Sequence, residues 1–218
     1  MFTKYADAFA PQYIIGEMLR FAKGDWYAGR GTDKTVPVGT VFTVNPDEFM
    51  AGWIKWLDKK SVDHAMVRII DGIAPKLRGE LGDHDTAQWE VGKDKKPKDP
   101  WQFTNYLPMM DEEGVLYTFT TTSRGGIGAV AKLLRLYAKH RKRHPDVFPL
   151  IKINTDSYQH KDTSLGRIKF PVFEPAGYVS KADFLAALAE GGYSTAEYPE
   201  PETVEADPED DFNDEVSF

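Results

Sequence analysis

WQFTNYLPMMDEEGVLYTFTTTSRGGIGAVAKLLRLYAKHRKRH, from Trp101 to His144, reads as two strands followed by one long helix. Gln102 to Leu107 and Val115 to Thr122 flank MMDEEG, a turn-like segment ending in Gly114, which predicts an antiparallel hairpin. In the second strand Val115, Tyr117, Phe119 and Thr121 share one face, and Leu116, Thr118, Thr120 and Thr122 the other. The aromatic face is expected to meet the core. Ser123 to His144 then places Ile127, Val130, Leu133, Leu134 and Tyr137 at helical spacing. Lys132, Arg135, Lys139, Arg141, Lys142 and Arg143 exceed what the helix dipole favours near a C-terminus, and suggest a phosphate-facing patch. At the other end, Arg124 with Gly125, Gly126 and Gly128 offers backbone N–H groups to a phosphate, but SRGGIG lacks the Gly-Lys-Ser/Thr ending of a P-loop.

C-terminal to this unit, Leu150 to Asn154 alternates Ile151 and Ile153 against Lys152. Arg167 to Phe173 reads as a strand with Ile168, Phe170 and Val172 on an apolar face and Arg167, Lys169 and Phe173 on the other, while Pro171 predicts an edge strand or a bulge. Cations beside a ring on a sheet face suit an oligonucleotide groove, in which charge tracks the backbone and rings stack on bases. Tyr158, His160 and Lys161 extend that surface into the preceding loop. Ser180 to Asp183 resembles a capping box before Phe184, Leu185 and Leu188, and Gly191 and Gly192 stop that helix.

On the N-terminal side, Asp71 to Pro100 is loop-like, and Lys93, Lys95, Lys96 and Lys98 feed positive charge towards Trp101, Phe103 and Tyr106. His64 to Ile70 predicts a strand. Asn45 is placed to cap a helix in which Phe49, Met50, Trp53, Trp56 and Leu57 form one face. Val36 to Val44 reads as a strand and Pro11 to Lys23 as a short helix closed by Gly24. Between them, KGDWYAGRGTDKT (Lys23 to Thr35) reads as a flexible loop carrying Trp26 and Tyr27. Trp26, Tyr27, Trp101, Tyr106 and Phe173 are the candidate base-stacking rings.

Composition narrows the classes. With no cysteine, the chain has neither a disulfide framework nor a thiolate site, which fits a reducing compartment such as the cytoplasm. The N-terminus has no secretion-type pattern, and no apolar run approaches the roughly 18 residues of a membrane span. His140 and His144 stand four apart, but the cations between them oppose a divalent ion. Asp83, His84 and Asp85 lack a second carboxylate cluster for two-metal chemistry. Neither catalysis, a metal nor a cofactor is expected.

The charge is unevenly placed. From Glu190 onward there are 11 acidic residues and no Lys or Arg, so the other 189 residues hold 34 − 11 = 23 acids against 27 bases. A body of +4 thus carries a segment of −11, within a chain whose formal charge is −7. Pro199, Pro201 and Pro208 with scattered apolar residues predict a disordered interaction tail over 191–218, following one domain over 1–190.

PEDDFNDEVSF, with Asp210, Asp211, Phe212, Asp214, Glu215 and the final Phe218, resembles the acidic tip of phage and bacterial single-stranded DNA-binding proteins. Val216 and Ser217 stand where an Ile-Pro usually precedes that Phe. The resemblance implies that the tip recruits polymerase, primase, helicase or nuclease partners and competes with DNA for a cationic groove. It also implies action in the bacterial host cytoplasm, allows a homodimer, and favours the phage replication type, because the long Gly, Gln and Pro-rich linker of the tetrameric bacterial type is absent. The expected fold is α+β and strand-rich, an oligonucleotide-binding (OB) barrel elaborated by helices. The expected phosphate contacts are Lys93, Lys95, Lys96, Lys98, Arg124, Lys139, Arg141, Lys142, Arg143, Lys152, Arg167 and Lys169. The competing reading, a DNA-mimicking inhibitor of a host nuclease or defence complex, requires acids spread over the body rather than gathered in one segment.

Overall fold

The computed structural model describes residues 13–92, 95–161, 163 and 166–190. Ten strands among these residues join in one sheet: β1 Glu17–Ala22, β2 Asp25–Ala28, β3 Thr35–Val36, β4 Val41–Val44, β5 Met50–Leu57, β6 Lys60–Arg68, β7 Trp101–Asp111, β8 Leu116–Thr121, β9 Val147–Gln159 and β10 Arg167–Ser180. Two helices accompany them, α1 Arg124–Arg141 and α2 Lys181–Glu190. The protein is a mixed α+β, strand-rich fold. Among the described residues, no helix is long and apolar enough to cross a membrane.

The order along the sheet is β10-β9-β4-β7-β8-β1-β2-β3, with β5 and β6 branching from β7. The long β7 makes the branch possible. Its Trp101 to Tyr106 half pairs with β5, and its Met109 to Asp111 end pairs with β4 on the same edge. A single 3-10 turn, Pro46–Glu48, separates those two partners, with Asn45 Oδ1 accepting from the Asp47 N–H.

The sheet curls until its distant strands meet. Trp26 of β2 lies 5.8 Å from Phe173 of β10, and both rings touch Phe119 of β8. The Trp26 Nε1–H donates to the Asn154 carbonyl and Thr155 Oγ1 to the Gly24 carbonyl. Leu19, Phe42, Leu107, Met109, Ile151 and Ile153 fill the interior, and Val130 and Leu133 of α1 join the same core. A second cluster, built on Met110, Leu116, Tyr137, Phe148 and Phe184, seats α2.

The β7–β8 hairpin, α1, β9, β10 and α2 form as expected, and Tyr117 and Phe119 face the core. Pro171 does lie in the terminal strand of the order. Two expected helices are strands. Gly16, at φ 70°, packs so closely on β8 that a Cβ there would sit 2.1 Å from the Leu116 carbonyl oxygen. From that point Glu17 to Leu19 run parallel to Tyr117 to Phe119. Likewise Met50 to Leu57 pairs on both edges, with β6 and β7, and this double ladder overrides the helical spacing of its large apolar residues. The segment read as a flexible loop also contains a strand, β2.

Candidate nucleic-acid interface

Four of the five candidate stacking rings belong to the interior. Trp26 is 1% exposed, Trp101 6%, Tyr106 9% and Phe173 6%, so a base reaches none of them without parting the strands. Trp101 Nε1–H donates to Asp83 Oδ2 at 2.9 Å, and Tyr106 lies under Tyr13 with ring centroids 5.7 Å apart. Burial raises the Tyr106 hydroxyl pKa well above its ordinary value. Tyr27, opposite Arg20, is half-buried.

Phe173 marks where parity was legible and direction was not. Arg167, Lys169, Pro171 and Phe173 do share one face of β10, but its Phe173 end is inside the curl, whereas Arg167 and Lys169 are exposed. Ile168, Phe170 and Val172, read as the core face, are only half-buried. Tyr158, 46% exposed on β9, lies 6.1 Å from Phe170.

The candidate cations divide into separate groups. Arg167 pairs with Gln159 and Lys169 with Ser157, and the Lys169 side chain lies against Gly24. Lys152 pairs with Glu174, which by strand alternation puts it on the opposite face from Lys169. Lys95, Lys96 and Lys98 are exposed on the segment before β7, where Val91 bridges Pro97; Lys93 lies outside the described residues. Arg124 opens α1, and Gly125 packs on the Cβ of Phe170, so this cation neighbours the outer side of the β9–β10 hairpin.

Lys139, Lys142 and Arg143 are at the far end of the 18-residue α1, about 25 Å from Arg124. One of the cations there, Arg141, has structural work. Arg141 and Lys181 both bind Asp47, at 3.2 and 2.6 Å, which ties α1, the 3-10 turn and α2 together. His140 stacks on Tyr178 at 3.6 Å and on His144 at 4.6 Å; burial and the neighbouring imidazole lower its pKa.

The glycines of SRGGIG also have a packing explanation. A Cβ on Gly126 would fall 2.0 Å from Thr121 Oγ1, and one on Gly125 would fall 2.9 Å from the Phe170 Cβ. Ser123 Oγ accepts from the Gly126 N–H as the helix cap. The start of α1 is therefore a close approach of helix to strands.

The outer face of the β7–β8 hairpin is covered. Thr118 Oγ1 accepts from the Ile15 N–H and donates to the Ile15 carbonyl, both at 2.8 Å, and Tyr13 packs on Tyr106 and His64. Exposed side chains remain at the β9–β10 hairpin, where Arg167 and Lys169 lie on one face and Tyr158, paired with Ile168, lies with half-buried Phe170 on the other, and at the segment leading into β7. The tail residues Asp210, Asp211, Phe212, Asp214, Glu215 and Phe218 lie outside the described residues. Among the described residues no group of three or more His, Cys, Asp or Glu could hold a metal ion. No protein-family model, no curated protein and no solved structure matches the chain.

Proposed function

We propose that this chain is an OB barrel that binds single-stranded DNA without sequence preference in phage or bacterial DNA replication, recombination and repair. The observation that carries the proposal is the strand order. Along β8-β7-β4-β9-β10, the strands are the third, second, first, fourth and fifth of a five-stranded core, and α1 lies between the third and fourth. An OB barrel has that connectivity. The third and fifth strands meet here through Phe119 and Phe173, 5.3 Å apart and edge to face. β1 to β3 and the β5–β6 hairpin are additions to this core.

In such barrels the ligand lies on the second and third strands and on the loops joining strands one to two and four to five. With the outer face of β7–β8 under Tyr13 and Ile15, the two loops become the principal contacts. The four-to-five connection carries Lys161 and is bordered by Tyr158, Arg167 and Lys169; the one-to-two connection carries Lys95, Lys96 and Lys98. Cations there track phosphates, and exposed Tyr158, on the other face of the hairpin from Arg167 and Lys169, offers a ring to a base where the strand wraps the hairpin tip. The acidic segment 191–218 competes for this cationic surface and, through Phe218 and its flanking acids, recruits replication proteins.

Fluorescence anisotropy with oligo-dT and with a duplex of equal length tests the proposal. Tighter binding of the single strand is expected, and deleting 191–218 should preserve or tighten it. Equal affinity for both nucleic acids, or weaker binding after the deletion, would count against it.

A further inference from the structure

We infer that the exposed face of α1 is a second phosphate track, along which a bound single strand continues beyond the β9–β10 hairpin; this inference rests on the nucleic-acid proposal above. Arg124, Lys132, Arg135, Lys139, Lys142 and Arg143 are all exposed, and no hydrogen bond or ion pair holds any of their side chains among the described residues. At about 3.6 residues per turn, the first five of these positions fall within about 80° of arc and run for about 25 Å along the axis. The buried residues of the helix, Gly126, Val130, Leu133 and Tyr137, lie on the opposite side.

A merely solvated face does not need this arrangement. Exposed helix faces gain from interleaved acids and bases that pair at i and i+4, but α1 has no Asp or Glu. Lys132, Arg135, Lys139 and Lys142 follow one another at the spacings at which like charges repel. The helix dipole accounts for cations in the last turn only, and it opposes Arg124 in the first, where no acidic residue stands. Gly128 is a separate observation. Gly125 and Gly126 pack on strands, whereas a Cβ on exposed Gly128 would meet nothing within 4 Å. Glycine inside a helix is destabilising relative to alanine, and no packing contact requires this one. It leaves the backbone bare between Arg124 and Lys132, where a phosphate can approach closely.

Length and position select the ligand. Cations spread over such a distance do not converge on one small anion; they fit a linear polyanion whose charges recur at regular intervals, as phosphates do. The apolar side of α1 is in the core and Leu136 is its one large exposed apolar side chain, so the helix has no face to insert into a lipid surface. No aromatic ring lies on the stripe, so it meets phosphates and not bases. The stripe is also continuous with the contact already proposed. Tyr158 and Phe170 share one side of the β9–β10 hairpin, Gly125 packs on the Phe170 Cβ, and Arg124 is its neighbour. A strand that has wrapped the hairpin tip to reach Tyr158 arrives at the start of α1.

Oligo-dT of about 6 and about 20 nucleotides separates the two contacts, because OB folds occupy about 4–16 nucleotides. The shorter strand settles at the hairpin, where a ring adds to charge, and the longer one reaches α1. In the full chain, Lys132→Gln, Arg135→Gln and Lys139→Gln together remove three charges that hold no part of the fold. For the longer strand this variant should make the log–log salt slope shallower by about 2, at about 0.7 per phosphate. For the shorter strand the slope should be unchanged. An abasic strand of about 20 nucleotides should show the same loss as the longer oligo-dT, since only its phosphates meet α1. Gly128→Leu, which keeps every charge, should weaken binding of the longer strand and spare the shorter. An unchanged slope for the longer strand, or an equal change for both, overturns the track and leaves single-strand binding standing. If the loss disappears once 191–218 is deleted, the acidic segment occupies α1 in place of DNA, and the track is likewise wrong. If neither strand binds, both proposals fail.

Discussion

At Phe173 the side chain decides between two roles that the sequence presents as equals. Its ring meets Trp26 and Phe119 at 5.8 and 5.3 Å inside the curled sheet. Phe173→Ala should therefore cost about 3–5 kcal/mol of stability, measured by urea unfolding, with DNA affinity of the folded fraction unchanged. Gly126 reverses a familiar trend. Replacing glycine by alanine inside a helix ordinarily gains up to about 1 kcal/mol. Here the new methyl would lie 2.0 Å from Thr121 Oγ1, so Gly126→Ala should lower the melting temperature. His64 brings pH into the balance. Burial lowers its pKa below the ordinary 6.5 against the opposing pull of Asp63, and its Nδ1 has no partner among the described residues. As pH falls below about 6.5, the unfolded chain takes up the proton before the folded one does. The stability contributed by neutral His64 is complete above that value and is lost as pH falls towards the folded pKa. Thermal melts of His64→Phe should show a flatter acid limb than the unchanged chain.

Elements differ in how far their sequence reveals them. The β7–β8 hairpin and α1 are legible because local pattern and tertiary contact agree: Tyr117 and Phe119 alternate into the core, Val130 and Leu133 return to it at helical spacing, and Tyr137 on the same stripe joins the second cluster. β5 is not legible in this way. Phe49, Met50, Trp53, Trp56 and Leu57 fit a helical face, and only the ladders to β6 and β7 decide otherwise. At β10, alternation correctly separates Arg167, Lys169 and Phe173 from Ile168, Phe170 and Val172. Which side faces inward depends on the curl of the whole sheet, and that lies beyond local pattern. The proposed DNA contact belongs, at this scale, to the β9–β10 hairpin. Single strands release counterions with a slope of about −0.7 per phosphate neutralised. Arg167→Ala and Lys169→Ala should each make the salt dependence of oligo-dT binding shallower by about that amount. With a strand of about 6 nucleotides, Lys139→Ala, at the far end of α1, should leave it unchanged.

The molecule as a whole combines a body of +4 with a segment of −11, so its net charge of −7 describes neither part. The body's cations occur in patches, some of them committed to structure: Arg141 and Lys181 hold Asp47, whereas Arg167 and Lys169 stand at the rim of the curled sheet. In the proposed function the strand order supplies the scaffold, the two loops supply charge, and the acidic segment competes with the DNA phosphates for the same cations. All of this depends on the body taking up a single strand. Oligo-dT affinity of the full chain, followed by anisotropy across a salt series, measures that property. Binding that weakens linearly in log–log form, with a slope corresponding to several neutralised phosphates at about −0.7 each, is the predicted result. No binding, or an affinity indifferent to salt, would contradict it.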